Sequence, residues 1–99
     1  MPTLHVALQE GFVSDHVVIR VNREEVGNRP AVTTRNQIGF AESVEVEVPE
    51  SAAEVQLEVP TRAISSSVKV QVKGTTYVGA SIEFGNLRLH QQREPFRYL

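Results

Sequence analysis

Val44-Glu45-Val46-Glu47-Val48 and Val55-Gln56-Leu57-Glu58-Val59 are the stretches whose reading decides the fold. In each, every second residue is apolar and those between are polar, the pattern of a strand with one dry and one wet face. Each run stops at a proline, Pro49 or Pro60, which has no N–H to give to a ladder. With so short a connection the two read as a hairpin. Pairing Val48 with Val55, Val46 with Leu57 and Val44 with Val59 places every apolar residue on one face. The same register sets Glu47 against Gln56 and Glu45 against Glu58, a like-charge pair that costs up to about 1 kcal/mol. Lys69 and Lys73 are the expected counter-charges. Ser51-Ala52-Ala53-Glu54 has the form of a capping box, with room for one helical turn.

Working outward, residues 3–9 alternate with Leu4, Val6 and Leu8 on one side, and residues 16–22 with Val17, Ile19 and Val21. Val18 falls on the polar side of its strand, which points to partial cover there. Asn22-Arg23-Glu24 reads as a tight reversal, because asparagine tolerates the left-handed backbone of hairpin turns. A short third strand over 25–29 is expected to end at Pro30 or to be an edge. Residues 31–39 read as a long connection. Val68, Val70 and Val72 form another ladder, with Lys69 and Lys73 outward. Residues 75–84 place Thr76, Val78, Ala80, Ile82 and Phe84 on one face, and Gly79 marks a bulge or a close approach. Gly85-Asn86 is a glycine-first turn signal before a last strand over 87–91. The tail 93–99 is kinked by Pro95.

Seven to eight short strands spaced by turns, with no useful helical period, predict a single all-β domain over residues 1–99, an antiparallel β-sandwich. The cadence of short valine ladders closed by proline resembles immunoglobulin-like and transthyretin-like sandwich modules. The resemblance is architectural. The cysteine–tryptophan–cysteine set of a true immunoglobulin domain is missing, since the chain has neither residue type.

Ninety-nine residues suffice for one core and leave little room for a deep cavity. Having no cysteine, the chain has no disulfide, thiolate metal site or cysteine nucleophile. That composition, with no basic-then-apolar leader and no long apolar run, leads us to expect a soluble, cytoplasmic protein. A net charge of −2 offers no general attraction to nucleic acid or to anionic membrane. The distribution is uneven. Residues 36–61 hold no lysine or arginine but six glutamates, while the C-terminal stretch carries Arg88, Arg93 and Arg97.

The candidate chemistry is thin. His5, His16 and His90 show no spacing that would place two on one ion, so no metal is expected. Ser14-Asp15-His16 resembles a triad only in print. Neighbours in extended chain point to opposite faces, whereas a triad needs convergence. Glu45 and Glu58, on a wet face, would both simply ionise. The expectation is therefore a non-catalytic interaction or assembly module with no cofactor. It would use a sheet edge, the acidic face of Glu45, Glu47 and Glu58, and the tail residues Arg93, Phe96, Arg97, Tyr98 and Leu99. Its partner is another protein or a second copy, a homo-oligomer, since exposed edges need cover. The alternative is a carbohydrate- or small-ligand-binding module using end loops around Phe12 or Phe40.

Overall fold

The computed structural model describes residues 2–35, 41–48 and 52–92. Eight strands follow in order: β1 Thr3–Leu8, β2 Asp15–Val21, β3 Glu24–Val32, β4 Glu42–Glu47, β5 Ala52–Val59, β6 Ile64–Gln71, β7 Thr76–Glu83 and β8 Asn86–Gln92. They form two four-stranded sheets, ordered β4-β1-β7-β8 and β3-β2-β5-β6. All neighbours run antiparallel except β1 and β7, which run parallel with Leu4 opposite Thr76 and Leu8 opposite Ala80. The architecture is the expected β-sandwich, with one parallel pair in it. No helix among the described residues is long and apolar enough to cross a membrane.

Period-two alternation builds the core. Leu4, Val6 and Leu8 from β1 and Val78 and Ala80 from β7 face Val17, Ile19, Val55, Leu57 and Val59 from the other sheet, and all are buried. Each such valine, leucine or isoleucine contributes about 1.5–3 kcal/mol through removal from water.

Several expectations need correction. The two valine runs are not a hairpin. The first is β4, which pairs with β1 (Val44 opposite Val6, Val46 opposite Leu4), and the second is β5, which pairs with β2 and β6. They lie in opposite sheets, and both still turn their valines to the core, Val46 only partly buried, because a sandwich offers a dry face to each sheet. Glu45 therefore stands opposite His5, and Glu58 forms an ion pair with Arg20. Lys69 is in register with Glu54. Ala52, Ala53 and Glu54 are strand, not helical turn. β3 runs on through Pro30, which an edge strand tolerates because its outward N–H is not needed by the ladder.

Both tight hairpins use two residues at positive φ. Asn22 (φ 52°) and Arg23 (φ 70°) join β2 to β3, and Phe84 (φ 52°) and Gly85 (φ 78°) join β7 to β8. This is the type I′ geometry that matches strand twist. The second turn is one residue earlier than Gly85-Asn86. As a result Phe84, expected on the dry face, is 99% exposed at the hairpin tip.

Candidate interaction surfaces

One end of the sandwich is locked by a buried carboxylate. Asp15, at the start of β2, is 3% exposed. Its Oδ1 accepts from Thr61 Oγ1 at 2.9 Å and from Arg62 Nε at 3.0 Å. Its Oδ2 accepts from Arg62 Nη2 and from the Val13 N–H, both at 2.9 Å. Arg62 also donates to the Gly11 carbonyl at 3.0 Å. Arg62 sits in a 3₁₀ turn, Pro60–Arg62, that Pro60 starts and Ala63 ends in the left-handed conformation. Burial alone would raise the Asp15 pKa. The hydrogen bonds from Arg62, Val13 and Thr61, with the Arg62 charge, outweigh it and hold the carboxyl below its ordinary value. The reciprocal bond to Asp15 raises the pKa of Arg62. This is a clamp across two loops. His16, the next residue, turns away and bonds Asn28 Oδ1 at 2.7 Å, so Ser14, Asp15 and His16 do not converge.

The outer face of the β4-β1-β7-β8 sheet carries a second polar cluster. His5 stacks on Tyr77, with centroids 4.8 Å apart and planes 17° from parallel. Glu45 Oε1 lies 3.3 Å from His5 Nδ1. One row on, Gly79 leaves space that Gln9 and His90 occupy. A Cβ there would fall 2.7 Å from Gln9 Oε1 and from His90 Cε1. Gly79 is thus a close approach of side chains rather than a bulge. Among the described residues, no three histidine, cysteine or acidic side chains are grouped to hold a metal ion, and every buried side-chain nitrogen or oxygen has a partner.

The expected acidic face is divided. Glu45 and Glu47 lie exposed on β4, whereas Glu58 lies on β5 in the other sheet and is engaged by Arg20. The false hairpin register had joined them. Phe12, expected at a ligand-binding loop, is 1% exposed and belongs to the core. Its N–H donates to Thr34 Oγ1 at 3.0 Å, and the Thr34 N–H donates back to its carbonyl at 2.8 Å. Phe40 and the tail residues Arg93, Phe96, Arg97, Tyr98 and Leu99 lie outside the described residues.

The four sheet edges differ in protection. β3 carries Pro30, two register shifts and the charges of Glu24, Glu25 and Arg29. β4 carries Glu42, Glu45 and Glu47, and Arg29 Nε reaches Glu42 Oε1 at 3.1 Å across the side of the sandwich. β8 carries Arg88 and His90. β6 is different. It pairs with β5 through eight consecutive residues, from Ile64 opposite Val59 to Gln71 opposite Ala52, with no shift. It has no proline, and Lys69 is its one charged side chain. Gln91 Nε2 covers the carbonyl of Gln71 at 3.2 Å. Over residues 64–70, no described side chain or loop from elsewhere bonds the outward backbone. Proline, charge and bulges are the devices that discourage added strands, and β6 has the least of them.

The chain matches no protein-family model and no curated protein. The sequence does not say which strands form the sheet edges, because strand order is not encoded in alternation. Sequence reasoning missed Arg62 as the partner of Asp15. The signal was faint: a lone arginine directly after a strand-ending Pro-Thr.

Proposed function

We propose that this protein is a non-catalytic interaction or assembly module that works by strand addition at β6. The observation that carries the reading is the unbroken register of residues 64–71 at the end of the β3-β2-β5-β6 sheet, whose outward backbone no described residue bonds over 64–70. An added strand gains main-chain hydrogen bonds along the edge, and alternate side chains set its register. A second copy is the simplest donor. Antiparallel self-pairing about Ser67 sets Ser65 against Lys69 and Ile64 against Val70, so faces match and no like charges oppose. The product is a closed two-fold dimer with one continuous eight-stranded sheet. Of the two sandwich types the sequence resembles, we favour the transthyretin-like one. The immunoglobulin order pairs the first strand with the second, whereas here β1 sits between β4 and β7. We place its action in the cytoplasm, in keeping with a chain that has no cysteine.

Ser67→Lys tests the reading. Ser67 is exposed and points outward, so the fold is expected to keep its stability within about 0.5 kcal/mol. Self-pairing would bring two lysines together at the dyad. Light scattering at matched concentration is expected to give the variant about half the wild-type mass. Equal masses, or hydrogen exchange at residues 64–70 that is no slower in the wild type, would overturn the proposal.

A further inference from the structure

Phe84 is the largest anomaly on the surface. A type I′ turn needs positive φ at both central residues, and asparagine followed by glycine suits it best. Phenylalanine in this conformation is strained by its Cβ. Here it also gains nothing from the fold, since it is 99% exposed. The turn has a glycine in its second place and the wrong residue for stability in its first. Val13, the other large apolar side chain exposed among the described residues, belongs to the β1–β2 loop at the same end. That loop lies against the end of β7, where the Ile82 N–H donates to the Glu10 carbonyl at 2.8 Å. Glu10, in the same loop as Val13, adds an exposed carboxylate beside this tip, whereas Glu83 is paired with Arg88 at 3.6 Å.

The opposite end offers a complement. A shallow pocket of about 370 Å³ is lined by Asn22, Arg23, Ala52, Ala53, Glu54 and Lys69. It lies where β2 turns into β3 and β5 begins. Arg23 and Lys69 on its rim have no ion pair to any described residue. By contrast, Arg20, Arg29, Arg62 and Arg88 are each paired. Asn22 is fixed in place, since its Oδ1 accepts the Glu54 N–H at 2.9 Å. A phenyl ring set on this floor would lie beside the Arg23 guanidinium, within reach of a cation–π contact. The exposed Glu10 carboxylate beside the tip would meet the two cations.

We propose that Phe84 of one copy docks into the Asn22–Arg23–Lys69 pocket of a second copy, head to tail. Knob and pocket lie at opposite ends of the sandwich, so the contact is heterologous and does not close on itself. It produces short linear arrays rather than a dimer. It uses no residue of β6 other than Lys69 and stands independently of the edge reading.

The experiment uses the full chain carrying Ser67→Lys, so that edge pairing is suppressed and any remaining association reports on the tip. Sedimentation equilibrium is expected to show mass rising with concentration. Phe84→Asn, which supplies the preferred turn residue, should fold as well as its parent or better and should run as a single chain. Arg23→Glu with Lys69→Glu should do the same through loss of the rim. Mixing those two variants is the deciding measurement. One retains the pocket and the other the knob, so the mixture should form a capped two-chain species that neither forms alone. A mass unchanged by Phe84→Asn, or a mixture that stays single-chain, would overturn the proposal. So would an unassociated parent whose Phe84 instead drives binding to phosphatidylcholine vesicles.

Discussion

Replacing Asp15 with alanine is expected to lower the unfolding free energy by about 3 kcal/mol, read as a shift in the urea midpoint at constant m-value. The carboxylate accepts four hydrogen bonds from three residues, two of them from the Arg62 fork. Hydrogen bonds to a charged group contribute about 1.5–3 kcal/mol net, and a buried donor left without its acceptor adds a desolvation cost. Arg62 is one-third exposed. It recovers part of its hydration in the variant, which keeps the loss towards the lower end of the range for broken buried pairs. Arg62→Ala should cost about as much, and the double variant little more than either, because each single change already breaks the clamp.

The clamp also fixes a pH dependence. The folded pKa of Asp15 lies below its ordinary value. The native state therefore favours the ionised form, and that stability is fully present above the unfolded carboxylate pKa of about 4. It is lost as pH falls through the folded value. Acidification from neutrality to below about pH 4 should lower the wild-type urea midpoint more than that of Asp15→Asn. Parallel pH profiles for the two proteins would show that the ion pair is not felt in the stability of the fold.

Gly11→Ala is expected to cost about 3–5 kcal/mol or to prevent folding. Gly11 has φ +91°, a conformation that side chains rarely adopt. A Cβ there would lie 2.1 Å from the Ile82 carbonyl oxygen and 2.9 Å from its carbon. Those are backbone atoms at the end of β7, which cannot move aside without disturbing the β1–β7 pair. The bend at Gly11 is also what sends Phe12 into the core. Gly74 is the control. Its φ is +68°, yet a Cβ would have no neighbour within 4 Å, so Gly74→Ala should cost only about 1 kcal/mol of backbone strain. Equal losses at the two positions would mean that conformation, not the contact with Ile82, governs Gly11.

The strands were legible in the sequence because burial imposes a period of two, and five of the eight begin and end within two residues of where alternation places them. Their partners were not. Val44–Val48 and Val55–Val59 satisfy a one-face register so well that a hairpin is the natural reading. Alternation, however, reports which face of a strand is dry and not which sheet supplies the cover. The same ambiguity hid β6 as the bare edge. Phe84 was misplaced because the alternation of β7 runs on into a turn whose demand is conformational. Phe12 was misplaced because a glycine before it and a turn after it look like loop, whereas its burial depends on Thr34. The Asp15–Arg62 clamp joins residues 47 positions apart, and no local pattern records such a distance.

The parallel pairing of β1 with β7 has a consequence for how the chain matures. β1 occupies an interior position in its sheet, and one of its two neighbours is more than seventy residues away in sequence. During vectorial synthesis β1 leaves the ribosome some seventy residues ahead of β7 and must wait for it before its ladder is complete. Closing so long a loop precedes any reward from the contacts it makes, which places folding in the millisecond-to-second range of sandwich topologies. Until then only the β4 side of β1 can be paired, and its other edge, with Leu4, Val6 and Leu8 on the strand, stays open.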